Sequence, residues 1–283
     1  MNSDSTLLQG VKIVSVALNA PGPVAAARLT KLGADVTKVE PPGGDATRTA
    51  APEWYESLIQ GQTVLRLDLK SEDGRAKLDD LLAQTDLLLA SFRPSALQRL
   101  GLDWESLHAR HPRLCFVGII GYPVPLQERT GHDLTYQCDL GLLRPPQMPP
   151  TLFIDLAGAE RAVSMALALL HRAARRSQAG CAWVSLHECA RELAAPLKAG
   201  LTTSDGLLGG AYPLYGFYRA NDGWIAIAAL EPHFAERLLS GLGLKKADRT
   251  ALERIFLQRK AVSWEKWAAE LDLPLVAVQE QGN

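Results

Sequence analysis

The chain has 283 residues, is 47% hydrophobic and carries a formal net charge of -1 at pH 7. That length holds one large α/β domain or two modest ones, and the hydrophobic content excludes a disordered chain. The balanced charge argues against an extended footprint for nucleic acid or an anionic membrane, while leaving room for a local basic pocket.

Met1-Asn2-Ser3-Asp4-Ser5 lacks the basic and apolar regions of a secretory signal. The longest apolar run, Ala162 to Leu170, is too short for a membrane span. Gln281-Gly282-Asn283 is not a peroxisomal address. The expectation is a cytoplasmic protein that binds neither nucleic acid nor membrane. Cys115, Cys138, Cys181 and Cys189 form no CxxC pair and are read as reduced thiols. Leu186-His187-Glu188-Cys189-Ala190 has one half of a zinc helix but not the second histidine, so no metal is expected.

In chain order, Val11 to Val16 reads as a buried strand. Pro21-Gly22-Pro23 is a turn, and Val24 to Leu32 has helical spacing that stops at Gly33. Ala34 to Val39 is the next strand, completing a right-handed βαβ unit with a parallel sheet. The pattern repeats with a strand at Thr63 to Leu67, a helix at Ser71 to Ala83 capped by Ser71, and a strand at Asp86 to Ala90. Helices follow at Pro94 to Leu100 and Trp104 to Arg110, then a strand at Leu114 to Ile120. Strands rich in Leu, Val and Ile without clean alternation are covered on both faces. The fold class is therefore α/β, with a doubly wound parallel sheet.

Gly121 to Thr151 is rich in proline, with one amphipathic stretch near His132 to Leu140. A loop of this length inside a compact domain is usually functional. Glu160 to Arg176 predicts a strong helix with a basic last turn, where Arg172, Arg175 and Arg176 complement the macrodipole. Ala194 to Leu208 is a softer linker. Leu214 to Arg219 and Trp224 to Ala228 flank Asn221-Asp222-Gly223 and predict a hairpin. Helices at Pro232 to Leu239, stopped by Gly241, and at Trp264 to Leu271 complete a small second domain. The division is 1–195 for the large domain and 196–283 for the linker and small α+β domain.

Three titratable side chains stand in contexts suited to a site. His132 follows a Pro- and Gly-containing loop and precedes a helix, where Gly131 allows close backbone approach. Its plainer reading is a turn-capping histidine. Asp155 ends the apolar run Leu152-Phe153-Ile154 near the start of the long helix, where an N-cap is the commonest role. A helix N-terminus also holds a carboxylate ionised. Glu231 ends Ile227-Ala228-Ala229-Leu230 and precedes Pro232, so a helix-start acid is its plainer reading. Gly22 lies where a doubly wound fold would hold a phosphate, although the segment is not GxGxxG. Phe92-Arg93-Pro94, just past a strand, offers an arginine as a phosphate clamp.

The chain resembles the family III CoA-transferases of the CaiB/BaiF type, the group that includes α-methylacyl-CoA racemase. The match is carried in order by Gly22-Pro23, Leu32-Gly33-Ala34-Asp35-Val36, Lys38 to Asp45, Leu67-Asp68-Leu69-Lys70, Phe92-Arg93-Pro94 and Leu100-Gly101-Leu102. It continues through Gly131-His132-Asp133-Leu134, Asp155, Tyr218 to Gly223 and Ala229 to Phe234. The resemblance implies a Rossmann-like large domain that binds CoA, a small domain, and an interlocked homodimer, with a heteromer as the alternative. It implies an acyl-CoA substrate, with coenzyme A present as part of that substrate, and contacts to it from Gly22, Pro23, Arg48, Phe92, Arg93 and Tyr136. It also implies that family members continue beyond the equivalent of Asn283. The family's Arg-Gly-Lys-Arg stretch is Gln60-Gly61-Gln62-Thr63 here, which leaves fewer cations for nucleotide phosphates.

By the same resemblance, Asp155 is the shared catalytic residue. In transferases it attacks the thioester to form a mixed anhydride, then an aspartyl thioester. In racemases a histidine matching His132 is a base, and a glutamate matching Glu231 orients and charges it. The favoured expectation is a racemase or epimerase of a 2-methylacyl-CoA, the second a CoA-transferase working through Asp155, and the third a non-catalytic subunit of a heteromer. Inversion needs an acid and a base on opposite faces of one carbon. Two groups each about 3–3.5 Å from that carbon approach within roughly 6–7 Å of each other.

Overall fold

The computed structural model describes residues 6–279. The readings made at 1–5 and 281–283 lie outside the described residues. The chain forms two compact units that divide between Ala194 and Ala195, one residue from the boundary expected from composition.

The first unit is built on six parallel strands: β1 (Lys12–Ser15), β2 (Asp35–Glu40), β3 (Thr63–Arg66), β4 (Leu87–Ala90), β5 (Cys115–Ile120) and β6 (Cys181–Ser185). Their spatial order is β3-β2-β1-β4-β5-β6. Every pairing in the sheet is parallel, so helices must return the chain along its faces. Leu87, Leu88 and Leu89 are all fully buried, which is why β4 shows no apolar alternation. Edge strand β3 is less covered, with Thr63 and Arg66 exposed.

Helix α1 (Pro21–Lys31) opens with prolines in its first turn and ends before Gly33, whose φ of +100° suits glycine. It therefore starts at Pro21, and the segment predicted as a turn is its first turn. The short α2 (Thr47–Ala50) and α3 (Pro52–Ile59) lie between β2 and β3. The opposite route carries α4 (Glu72–Leu82), capped by Ser71 Oγ, then α5 (Pro94–Leu100) and α6 (Trp104–Arg110). α7 (Asp133–Asp139) occupies the stretch predicted to be amphipathic.

The long helix α8 (Phe153–Arg176) begins well before Glu160 and packs on α1. Gly158, Ala159, Ala162 and Ala166 are buried along this helix, and small side chains let two backbones approach closely. A Cβ at Gly158 would fall 2.2 Å from Leu186 Cδ2. Arg28 Nε of α1 and Glu160 Oε1 of α8 pair at 2.8 Å across the outer edge of the contact. Edge strand β6 was not expected. It leads into α9 (Leu186–Leu193), whose first turn is capped by Ser185 Oγ.

The second unit contains α10 (Ala195–Lys198), α11 (Pro232–Gly241), α12 (Arg249–Phe256), α13 (Ala261–Glu270) and an antiparallel sheet in the order β7-β8-β9. β7 (Tyr215–Arg219) and β8 (Trp224–Ala228) form the predicted hairpin, with Arg219 opposite Trp224. β9 (Leu275–Ala277) adds a third strand that sequence reading missed. One sheet face buries Tyr218, Ile225 and Ile227 against Phe256 and Trp264. Gly241 does not stop α11. It lies inside the helix, where a Cβ would be 2.8 Å from the Trp267 ring, and the left-handed residue that follows is Gly243.

Candidate active site

In an open parallel sheet, ligands bind beyond the carboxyl ends of the strands, where the strand order reverses. That reversal lies between β1 and β4. A cavity of about 210 Å³ opens there. Its wall includes Asn19 after β1, Phe92 and Arg93 after β4, Ile120 at the end of β5, and His132, Tyr136 and Asp155.

Two loops of the mouth are joined by one hydroxyl. Ser91 Oγ accepts the Leu18 N–H and donates to the Leu18 carbonyl, both at 2.8 Å. The adjoining Asn19 holds φ at +65°, a left-handed conformation that asparagine tolerates better than most residues. Sequence reading did not single out Asn19. Its signal was its position in the short loop between β1 and the start of α1.

His132 is exposed and occupies the N-cap position of α7. The turn is fixed by Thr135, whose hydroxyl accepts the His132 N–H at 2.9 Å and donates to the His132 carbonyl at 2.8 Å. Gly131 is tightly enclosed. A Cβ there would lie 2.5 Å from Tyr136 Cε1 and 2.9 Å from Tyr122 Cε2. Those two rings meet edge-on, 5.3 Å between centroids. Burial pushes the Tyr136 hydroxyl above the usual phenol range, with Tyr122 and Asp155 adding to it, so Tyr136 faces the cavity as a neutral donor.

Asp155 is half-buried in the first turn of α8 rather than preceding the helix. It does not cap that helix either. The cap comes from Asp133, which is 4% exposed. Asp133 Oδ1 accepts the Ile154 N–H at 2.7 Å and the Asp155 N–H at 3.1 Å. Gln137 Nε2 donates to its other oxygen. The Asp155 carboxyl is pushed up to about 7, first by burial and then by the Asp133 charge. The ionisation expected from the helix N-terminus is thus opposed by burial and by a second carboxylate. Asp133 is the functional candidate that sequence reading passed over, although it sits inside Gly131-His132-Asp133.

The other sequence-predicted residues are distributed as follows. Phe92 and Arg93 line the cavity. Gly22 and Pro23 are buried within α1 and do not, whereas Pro21 does. A Cβ at Gly22 would fall 2.2 Å from Ala17 Cβ, so its lack of a side chain serves packing. Arg48 is exposed on α2, away from the cavity wall. Glu231 lies in the second unit, exposed at the N-cap of α11, with no side-chain cap bond. Among the described residues no group of three or more His, Cys, Asp or Glu side chains could hold a metal ion. No described helix is long and apolar enough to cross a membrane.

The model of CoA-transferase family III matches residues 8–281. The chain belongs to CoA-transferase family III. Within this family it is 32% identical over 260 residues to human alpha-methylacyl-CoA racemase, covering 84% of this chain and 65% of the racemase. It is 29% identical over 277 residues to cinnamoyl-CoA:phenyllactate CoA-transferase of Clostridium sporogenes, covering 86% of this chain and 66% of the transferase. The chain thus spans just under two thirds of the length of these two relatives. A CaiB/BaiF family protein from Brucella suis superposes with a TM-score of 0.79 at 26% identity, over 96% of this chain and 84% of that one. A Mycobacterium tuberculosis protein shares the fold with a TM-score of 0.84 at 24% identity, over 96% of this chain and 85% of that one. Members of this family include racemases and CoA-transferases, which are enzymes.

Proposed function

We propose that this family III chain acts on acyl-CoA thioesters and moves the proton α to the thioester carbonyl, as a racemase or epimerase of a 2-methylacyl group. The observation that carries this reading is the shared cavity of His132 and Asp155, with the Asp155 carboxyl pushed up to about 7. A two-base proton transfer needs one group that can take a proton while the other gives one, in either direction. Imidazoles change charge near neutral pH, and a carboxyl raised to the same range can serve as acid or base. In one direction His132 removes the α-proton while Asp155 delivers its own to the opposite face. In the reverse direction their roles exchange. The enolate formed between these steps needs a donor at its oxygen, and the neutral Tyr136 hydroxyl and the Asn19 amide both belong to the cavity wall. Arg93 is the proposed phosphate clamp for the CoA portion.

A second reading has support of its own. The chain aligns with a CoA-transferase over 86% of its length, as fully as with a racemase. Asp155 as nucleophile would move CoA between carboxylic acids, with no proton taken from carbon. A dimer is also proposed. Phe217, 68% exposed, and Val276, 52% exposed, share one face of the small sheet with Ala226 between them.

The deciding experiment incubates one enantiomer of a 2-methylacyl-CoA with the protein in deuterated water, without any acid co-substrate. Deuterium at the α-carbon with loss of optical purity is the expected result. Exchange should vanish in His132→Ala and in Asp155→Ala. If CoA instead migrates only after a free carboxylic acid is added, and His132→Ala tolerates that transfer, the transferase reading stands. If neither reaction occurs and calorimetry detects no CoA binding, both are wrong and a non-catalytic role in a heteromer replaces them.

A further inference from the structure

A carboxyl in the first turn of a long helix is normally held ionised by the free amides at that end. Asp155 has that position in α8 but not that benefit. The amides of Ile154 and of Asp155 itself both point at Asp133 Oδ1, at 2.7 and 3.1 Å. Asp133 belongs to a different helix, 22 residues earlier, and is buried with its second oxygen held by Gln137. Asp133 and Gln137 are one helical turn apart on the buried face of α7, so the acceptor is fixed before α8 begins.

We propose that Asp133 is a positioning residue that takes the N-terminal amides of α8 away from Asp155 and so, together with burial, leaves that carboxyl free to carry a proton reversibly. This rests on the proton-transfer reading above. The same bonds fix where α8 starts, and so where the Asp155 side chain leaves the helix. Two effects come from one side chain: the donors that would favour ionised Asp155 are occupied, and a negative charge stands beside it. The other titratable groups facing the cavity are His132 and Tyr136 from α7, Arg93 from the turn before α5, and Arg129 from the loop after β5. α1 and α9 present Pro21 and Leu186 there.

The test reads the Asp155 carboxyl directly by carbon-13 NMR titration, with Asp155→Asn identifying its resonance. The wild-type midpoint is measured first, and a value near about 4, the ordinary carboxylate, overturns the assignment without any variant. Asp133→Asn keeps an oxygen for the two amides and removes the charge. Asp133→Ala is the second variant, which removes the charge and also frees the two amides for Asp155. In whichever of the two folds, the midpoint should fall by about one pH unit or more. The rising limb of the exchange rate should fall with it. An unmoved midpoint in a folded variant overturns the positioning role. An NMR shift as expected in a protein with no exchange activity would refute the proton-transfer function and leave the positioning role in place.

Discussion

Lys38 Nζ lies 2.6 Å from Asp45 Oδ2, with 1% and 2% of the two side chains exposed. The same ammonium is 3.0 Å from Glu40 Oε1, which also accepts the Tyr55 hydroxyl at 2.9 Å. Burial and Glu40 together push that hydroxyl up to about 12. One cation therefore serves two buried carboxylates. Lys38→Met leaves both without it and should cost about 3–5 kcal/mol in urea unfolding. Burial alone would raise the Asp45 carboxyl, but the Lys38 hydrogen bond, the Thr47 amide and the Lys38 charge outweigh it and hold it low. Its stabilising share is therefore complete above about pH 4, the unfolded value, and is lost as pH falls through the lower folded one. A Lys38→Met protein that unfolds at the wild-type urea concentration would contradict this account.

Asp155 has the opposite sign. Its carboxyl is raised in the folded protein, so the fold binds its proton more tightly than the unfolded chain does. Wild-type stability should decline between about pH 4 and pH 7 through this group, because ionisation inside the fold is unfavourable. Asp155→Asn should therefore melt higher than wild type at pH 8, with the gap closing toward pH 4. Thermal melts across that range check it. A gain in stability alongside a loss of α-proton exchange in this variant is the outcome expected of a functional group that costs the fold stability.

Gly131 is a tightly enclosed part of the cavity wall. Gly131→Ala must displace the Tyr136 or Tyr122 ring, since a Cβ would stand 2.5 and 2.9 Å from them. Overpacking of this kind costs about 1–3 kcal/mol. The melting temperature should drop, and α-proton exchange should drop further because Tyr136 forms part of the wall. Exchange at the wild-type rate in a protein of lowered stability would show that the ring position is immaterial.

Arg93→Met keeps the aliphatic stem and removes the guanidinium. KM for a CoA thioester should rise about tenfold or more, from the loss of a charge-assisted hydrogen bond of roughly 1.5–3 kcal/mol, while kcat changes less. A fall in kcat at constant KM would instead place Arg93 at the reacting carbon.

Local patterns carried most of the first unit. Glycine after α1, Ser71 before α4 and the leucine run of β4 are signals that neighbouring residues complete among themselves. The start of α8 was misplaced for the opposite reason. Its cap, Asp133, lies 21 residues before Ile154, so no local rule at Leu152 or Phe153 announces it. β6 and β9 were missed because short edge strands are set by the partner they join, Val117 opposite Ala182 and Ile227 opposite Leu275. His132 and Asp155 were legible as residues. Their common cavity depends on the strand order around β1 and β4, which appears only in three dimensions.

The paired bonds between Ser91 and Leu18 have a bearing on how substrate enters. They tie the loops that follow β1 and β4 to each other, so the crevice above those two paired strands is shaped by the protein's own hydrogen bonds. Selection at that entrance falls to the shape and flexibility of the incoming molecule, with little left for the protein to adjust.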